Sequence, residues 1–466
     1  MTIEDNLTVL NVDAFDQRRF REILGLSKGL QKLAGEAAMP LFEPLLGDIW
    51  ASFYKMKPAL LETVDERLGV NQMMMEIIMD DQAFASYRDL TRLNDLASAI
   101  GTLKTGAQTQ QWLAEQMERD EGLRALNQKF QELAGQQRPQ EEEADQEASE
   151  VMEEFNEKMQ QTLLENRDSY REAMDRALRE ARKVGEGLKS LIGGMRAGDG
   201  DAEMKKVPLR DKLLLAEKMA SMNQMKQIAE WAGRFKQAAR KKQRPKQRHA
   251  EARQGVTTGI DIENLLPTEL SLFTHPMTKI DFLRRFSERQ TMQFEQQGPE
   301  SLNQGPVVLC LDQSDSMSSL ENQAKGFALA LLSIAKKQKR DFCLVLFSTR
   351  VQVFKYERGE IGAAEMIRLA ETYLRGGTDY ELALGEALGV ISESRFKQAD
   401  LVFVTDGEDR LTDPFLDRFT KDKKEKAFEV LSLLIGTKRE TVESFTDRVI
   451  QVKDFDDEGS FVAFEV

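Results

Sequence analysis

Histidine is nearly absent from this 466-residue chain, which has only His249 and His275. The first lies in a basic run and the second in a polar turn, "FTHPM", so chemistry built on histidine pairs or Ser-His-Asp triads lacks its raw material. Cysteine is as scarce. Cys310 and Cys343 sit inside apolar runs, "VVLCL" and "FCLVLF", where buried free thiols are expected, as in a reducing cytoplasm. Neither has ligand-like neighbours, so a cysteine metal site is not expected. No apolar run reaches membrane-spanning length. The first residues, "MTIEDNLTVLNVDAF", have no basic stretch followed by an apolar core, which argues against export. A phosphate loop is missing too: "GTLKTGAQ" at Gly101 has two glycines but no Lys-Ser/Thr after them. It follows helix rather than strand and reads as a helix junction.

What is present is charge and helical periodicity. The chain is 31% charged and 41% hydrophobic, and its formal charge of −14 weighs against nucleic acid as the main partner. Its length exceeds what one compact core organises and implies two or three domains. Before about residue 300, apolar residues recur at three- and four-residue spacing, as in "DQRRFREILGLSKGLQKLAGEAAMPLFEPLLGDIWASFYKM". Residues 141–194 read as one long charged helix or two, ending at Gly193–Gly194. Their apolar stripe is Val151, Met152, Phe155, Met159, Leu163 and Leu164. The Met-rich "NQMMMEIIMDD" offers either an adaptable surface or, as the plainer reading, buried core.

Between residues 234 and 253 the balance reverses. Arg234, Lys236, Arg240, Lys241, Lys242, Arg244, Lys246, Arg248 and Arg253 face one acid, Glu251. Such a run holds phosphates or anionic lipid, or it is a linker that balances the acidic block at Glu141–Glu154. No aromatic residues interleave the charges, which favours the linker. Residues 254–300 then read as a tether with one helix from about Lys279 to Gln296. This gives a division into 1–233, helical with a long charged helix; 234–300, basic run and linker; and 301–466.

The last segment changes character. Apolar strands alternate with amphipathic helices, which implies a doubly wound α/β domain with a mainly parallel sheet. "VQVFKYE" follows its predecessor after a short turn and should be an antiparallel edge strand. Functional residues of an open parallel sheet gather at the carboxyl ends of its strands, and three such loops carry oxygen groups here. "LDQSDSMS" supplies Asp312, Ser314 and Ser316; "RGGTDYE" supplies Thr378 and Asp379; "VTDGED" supplies Thr405, Asp406, Glu408 and Asp409. A lone D-x-S-x-S can be a turn with helix caps. Three oxygen-rich loops in order, each where the α/β pattern puts a strand end, point to a hard cation.

These residues resemble the metal-ion-dependent adhesion site of von Willebrand factor A (VWA) domains: D-x-S-x-S after the first strand, Thr in G-G-T-D, Asp in T-D-G after the fourth. The resemblance covers about residues 301 to 466. It implies Asp312, Ser314, Ser316, Thr378 and Asp406 as ligands of Mg²⁺, completed by an Asp or Glu of a protein partner, and binding rather than catalysis. Met317, Tyr380, Glu408 and Arg410 would set specificity around the ion. Where the family has glycine, this chain has Asp315, which brings Ca²⁺ or Mn²⁺ into consideration. A helical half followed by a VWA domain also resembles the bacterial ViaA-type proteins that work beside MoxR-class AAA+ ATPases, with "NLLPTELSLF" and "FLRRFSERQ" leading into the VWA segment. That likeness implies a cytoplasmic adaptor in chaperone-like or complex-remodelling work. The other reading is a nucleic-acid or anionic-membrane binder using 234–253, with the VWA domain as regulator.

Overall fold

The computed structural model describes residues 7–36, 39–135, 142–193, 199–242, 253–259, 265–296, 305–396, 398–407 and 409–465. The chain forms two compact units. One gathers Met1–Lys236 with Ser319–Ala330 and Ile361–Tyr373; the other holds Gln237–Ser318, Leu331–Glu360 and Leu374–Val466.

The first unit is built of helices α1 (Ala14–Leu26), α2 (Lys28–Gly35), α3 (Phe42–Tyr54), α4 (Gly69–Met79), α5 (Gln82–Thr91), α6 (Asp95–Arg119), α7 (Glu121–Gly135), α8 (Glu142–Glu165), α9 (Arg167–Ile192), α10 (Asp199–Lys206), α11 (Leu209–Ser221) and the start of α12 (Asn223–Lys242). The acidic segment is thus two helices, broken at Asn166. Along α9 the buried residues Tyr170, Ala173, Met174, Ala177, Leu178, Ala181, Val184, Leu188 and Leu191 recur every three or four positions, the stripe that a helix buries on its neighbours. On α8, Val151, Met152, Phe155, Met159 and Leu163 are buried as expected, but Leu164 is 66% exposed. A stripe advancing by four through 155, 159 and 163 turns its next neighbour about 100° away. The Met-rich α4 is core, with Met74, Met75, Ile77 and Ile78 buried.

The "GTLKTGAQ" stretch is no junction: it lies inside α6. A Cβ on Gly101 would come within 2.8 Å of Tyr87 and 2.9 Å of Phe53, and one on Gly106 within 2.5 Å of Leu46. These glycines let α3 and α5 approach α6 closely, a packing reason that periodicity does not reveal. We expect Gly101→Ala to destabilise the protein by about 1–3 kcal/mol in chemical denaturation despite alanine's better helix propensity, because the ring atoms of Tyr87 and Phe53 must yield.

Basic residues of this unit serve helix ends. Lys236 is buried and donates to the carbonyls of Ser190, Leu191 and Gly193 at 2.9, 3.0 and 2.7 Å, capping α9. Arg234 stacks 4.8 Å from the Trp231 ring. Lys325 is fully buried, donates to Ala370 and Thr372 carbonyls at 3.1 and 2.7 Å, and sits 3.3 Å from the Tyr373 ring. One buried acid stands apart. Asp48 on α3 accepts from Val9 N at 3.1 Å and from the Thr8 hydroxyl, and burial pushes its carboxyl up to about 7 against those bonds. Because the folded value is raised, its favourable contribution is complete below about pH 4 and is lost as pH rises through 7, on the order of 4 kcal/mol at most. Asp48→Asn should flatten the stability profile between pH 4 and 7, measured as the difference in urea midpoint from wild type.

The second unit begins with an antiparallel pair, β1 (Arg253–Gly259) and β2 (Thr291–Gln296), enclosing α13 (Pro267–Thr274) and α14 (Lys279–Ser287). The expected tether with one helix to Gln296 is therefore corrected. The helix ends at Ser287, and the polar "TMQFEQ" is a strand because "RQGVTTG" lies beside it. Of the basic run, Arg244, Lys246, Arg248 and His249 lie outside the described residues, as does Asn264.

The main sheet has the order β5-β4-β3-β6-β7-β8, from β3 (Val307–Asp312), β4 (Phe342–Phe347), β5 (Val351–Tyr356), β6 (Asp400–Thr405), β7 (Val430–Ile435) and β8 (Arg448–Val452). All neighbours are parallel except β4 and β5, so the antiparallel edge strand is confirmed. Between its strands the chain forms α15 (Glu321–Gln338), α16 (Ala363–Glu371), α17 (Tyr380–Ile391), α18 (Asp413–Lys426) and α19 (Glu440–Glu443), of which α16 and the start of α15 belong to the first unit. Every residue of β3 and β4 is buried, which accounts for their unbroken apolar spelling. Cys310 and Cys343 are buried free thiols in this core. Successive connections leave β3 towards β4 on one side and reach β6 on the other, so the carboxyl ends of β3 and β6 flank the switch in strand order.

Candidate metal centre

Three loops converge at that switch. Parallel pairing sets Leu311 opposite Val404, so Asp312 and Thr405 end adjacent strands at the same level. Asp312 is 1% exposed and forms the floor. Its Oδ1 accepts from Ser314 N at 2.8 Å, and its Oδ2 from the Thr405 hydroxyl at 2.5 Å. Ser314 Oγ lies 3.0 Å from Ser316 Oγ, which donates to Asp406 Oδ1 at 2.8 Å. Thr378 enters through the glycine loop. A Cβ on Gly407 would lie 2.7 Å from Thr378 Oγ1 and 3.3 Å from Asp312 Oδ2, so these two oxygens share the cradle that the missing side chain leaves. The structure thus brings Asp312, Ser314, Ser316, Thr378 and Asp406 together.

The loops are tied to one another by backbone bonds. Asp315 N donates to Gly376 O at 2.9 Å, and Gly376 has φ +100°, a conformation glycine adopts without strain. Asp315 is not among the residues of positive φ, so glycine is not needed at its position and its exposed side chain meets no backbone penalty. Asp379 caps α17 through Leu382 N at 2.9 Å, while Asp409 accepts from Tyr380 N at 2.6 Å. These two carboxylates fasten backbone and do not join the cluster.

Two residues expected at the rim lie elsewhere. Met317 is 1% exposed and Tyr380 fully buried, because apolar side chains beside a buried strand are drawn into the core. Arg410 is exposed, and Glu408 lies outside the described residues. Thr405 was legible only as one more loop oxygen; its place beneath Asp312 follows from register.

Burial raises Asp312 to about 6, with Asp406 adding to the effect and the bonds from Thr405 and Ser314 opposing it. Burial raises Asp406 as well. Neither forms an ion pair with Lys or Arg among the described residues. Nor do those residues hold a group of three His, Cys, Asp or Glu side chains at metal-binding distances. The donor set is two carboxylates and three hydroxyls, all hard oxygens converging on one cradle, and that chemistry fits a hard divalent ion. Gly407→Ala should displace the Thr378 hydroxyl and weaken Mn²⁺ binding about tenfold or more by calorimetric titration, with unchanged far-UV circular dichroism.

Residues 307–408 match the family model of the von Willebrand factor type A domain, and the chain carries that domain. Over its whole length the chain is similar to an uncharacterized protein of Methanocaldococcus jannaschii, 26% identical over 461 residues and covering 97% of each. Its relatives also include the regulatory protein ViaA of Edwardsiella ictaluri, 30% identical over 169 residues, 33% of this chain and 35% of that protein. The ViaA of Proteus mirabilis matches over the same shares. Among solved structures, the proximal thread matrix protein 1 of mussel byssus, described with a zinc-occupied MIDAS motif, is 16% identical with a TM-score of 0.26 over 34% of this chain and 46% of that one. Among the described residues no helix is long and apolar enough to cross a membrane.

Proposed function

We propose that this protein is a non-enzymatic adaptor that docks a partner through a divalent ion held by Asp312, Ser314, Ser316, Thr378 and Asp406. The observation that carries the reading is the meeting of three loop segments, far apart in sequence, around one glycine cradle with two uncompensated carboxylates. Mg²⁺ is the ion that suits the set, with Ca²⁺ or Mn²⁺ as alternatives beside Asp315. Two carboxylates and neutral hydroxyls leave a bound ion able to accept one more anionic oxygen, and an Asp or Glu of the partner supplies it. When bound, the ion would act as this bridge. The chain's residues hold it, orient it and keep one side open at exposed Ser316. No histidine occurs between residues 301 and 466 to serve as a poised base, which supports binding over catalysis.

In this reading residues 301–466 dock the partner, the helices up to about 233 hold an ATPase or client, and 234–300 link them. The similarity to regulatory ViaA proteins supports a MoxR-type AAA+ ATPase as the associate, with remodelling of complexes as the shared work. The two buried free thiols support a cytoplasmic setting. Within the basic run, Lys236 and Arg234 are already engaged inside the protein and Lys242 lies 3.6 Å from Glu465, which supports the linker role over nucleic acid or anionic lipid.

Affinity capture in Mg²⁺ should retain an AAA+ ATPase that EDTA, Asp312→Ala and Thr378→Ala each release. Retention under all three conditions would sink the docking reading. Steeply salt-dependent binding to nucleic acid or anionic vesicles, lost on neutralising Lys241, Lys242 and Arg244, would replace it with the basic-run reading.

A further inference from the structure

Beneath the oxygen cluster runs a buried polar chain that the D-x-S-x-S, Thr and Asp pattern does not contain. Thr405 is fully buried at the end of β6. Its single hydroxyl proton goes to Asp312 Oδ2 at 2.5 Å, and its oxygen accepts from Gly407 N at 3.0 Å. The Tyr380 hydroxyl, 3.2 Å from Thr405 Oγ1, donates to the Gly407 carbonyl at 2.8 Å. The Tyr380 ring has little freedom. Phe403 and Phe445 meet it edge-on at 5.1 and 6.0 Å, and Phe347 at 6.4 Å.

We infer that Thr405 and Tyr380 are positioning residues that set both ion-binding carboxylates before any ion arrives. The inference rests on the metal-docking reading. Asp312 is gripped at both oxygens, by Ser314 N on one and Thr405 on the other, which fixes the plane of its carboxylate. The backbone of Gly407 is held on both sides, its N–H by Thr405 and its carbonyl by Tyr380. Gly407 directly follows Asp406, so the direction of Asp406 is set by the same two side chains. A site arranged in advance binds without the cost of ordering its ligands. Outer partners of ligands in other metal sites carry about 10–100-fold in affinity.

The discriminating variants are Thr405→Val, Thr405→Ser and Tyr380→Phe, each keeping most of the buried shape. Mn²⁺ affinity is read by calorimetric titration of the full chain, and melting temperature is read separately in EDTA. Thr405→Val should weaken Mn²⁺ binding about tenfold or more and Tyr380→Phe about threefold to tenfold. Thr405→Ser loses packing and some melting temperature yet should bind within about twofold of wild type, a separation that a purely structural role would not produce. The double variant should fall short of the product of the two single effects, because both act through Gly407. Wild-type affinity in both Thr405→Val and Tyr380→Phe overturns the inference and leaves the metal reading standing. Absence of Mn²⁺ and Mg²⁺ binding in wild type overturns the metal reading itself, and the inference with it.

Discussion

The parallel pairing of β3 with β6 is the constraint on which the rest of the site depends. It brings the end of a strand at residue 312 level with the end of one at residue 405, across more than ninety residues of chain. A slip of one residue in that register would turn Asp312 to the opposite face of the sheet. The register is held by the unbroken apolar runs Val307–Leu311 of β3 and Leu401–Val404 of β6 and by the apolar layer of α17 and α18 on one face. Burial energy spent on Val308, Cys310, Leu401 and Phe403 thus becomes positional accuracy for groups that are costly to bury. The acids, in turn, are tolerated because each oxygen of Asp312 already accepts a hydrogen bond.

Much of this was legible in the residues. Alternation of apolar strands with amphipathic helices, the short turn before "VQVFKYE" and the three oxygen-rich loops depend on local spelling, and local spelling reports period and exposure well. Three of the failures share a cause: each concerned a residue whose role is defined by something distant in sequence. "TMQFEQ" has no clear alternation, and its strand exists because "RQGVTTG" pairs with it. Gly101 looked like punctuation, but its meaning lies in the rings of Phe53 and Tyr87. Tyr380 stood in a loop of candidate ligands and proved to be core, because the cavity that takes its ring is made by Phe403 and Phe445.

The helical unit shows a different economy of charge. With 79 acidic and 65 basic residues, the chain has ample charge for surface pairs, which contribute little individually. Its informative charges are buried ones. Lys236 and Lys325 each satisfy carbonyls near the end of a helix, where backbone oxygens have no partner of their own. Removing either would strand several acceptors at once, so these lysines act as structural joints rather than as a basic surface.

The two thiols carry a last consequence. Cys310 lies two residues before Asp312 on β3, and Cys343 lies on the adjoining β4, both sealed from solvent with their acidity suppressed by burial. A thiol-directed reagent reaches them only when these two strands part. The rate of alkylation of the native protein is therefore a clock for opening of the strand that ends at the candidate metal centre, built into the chain without any introduced label.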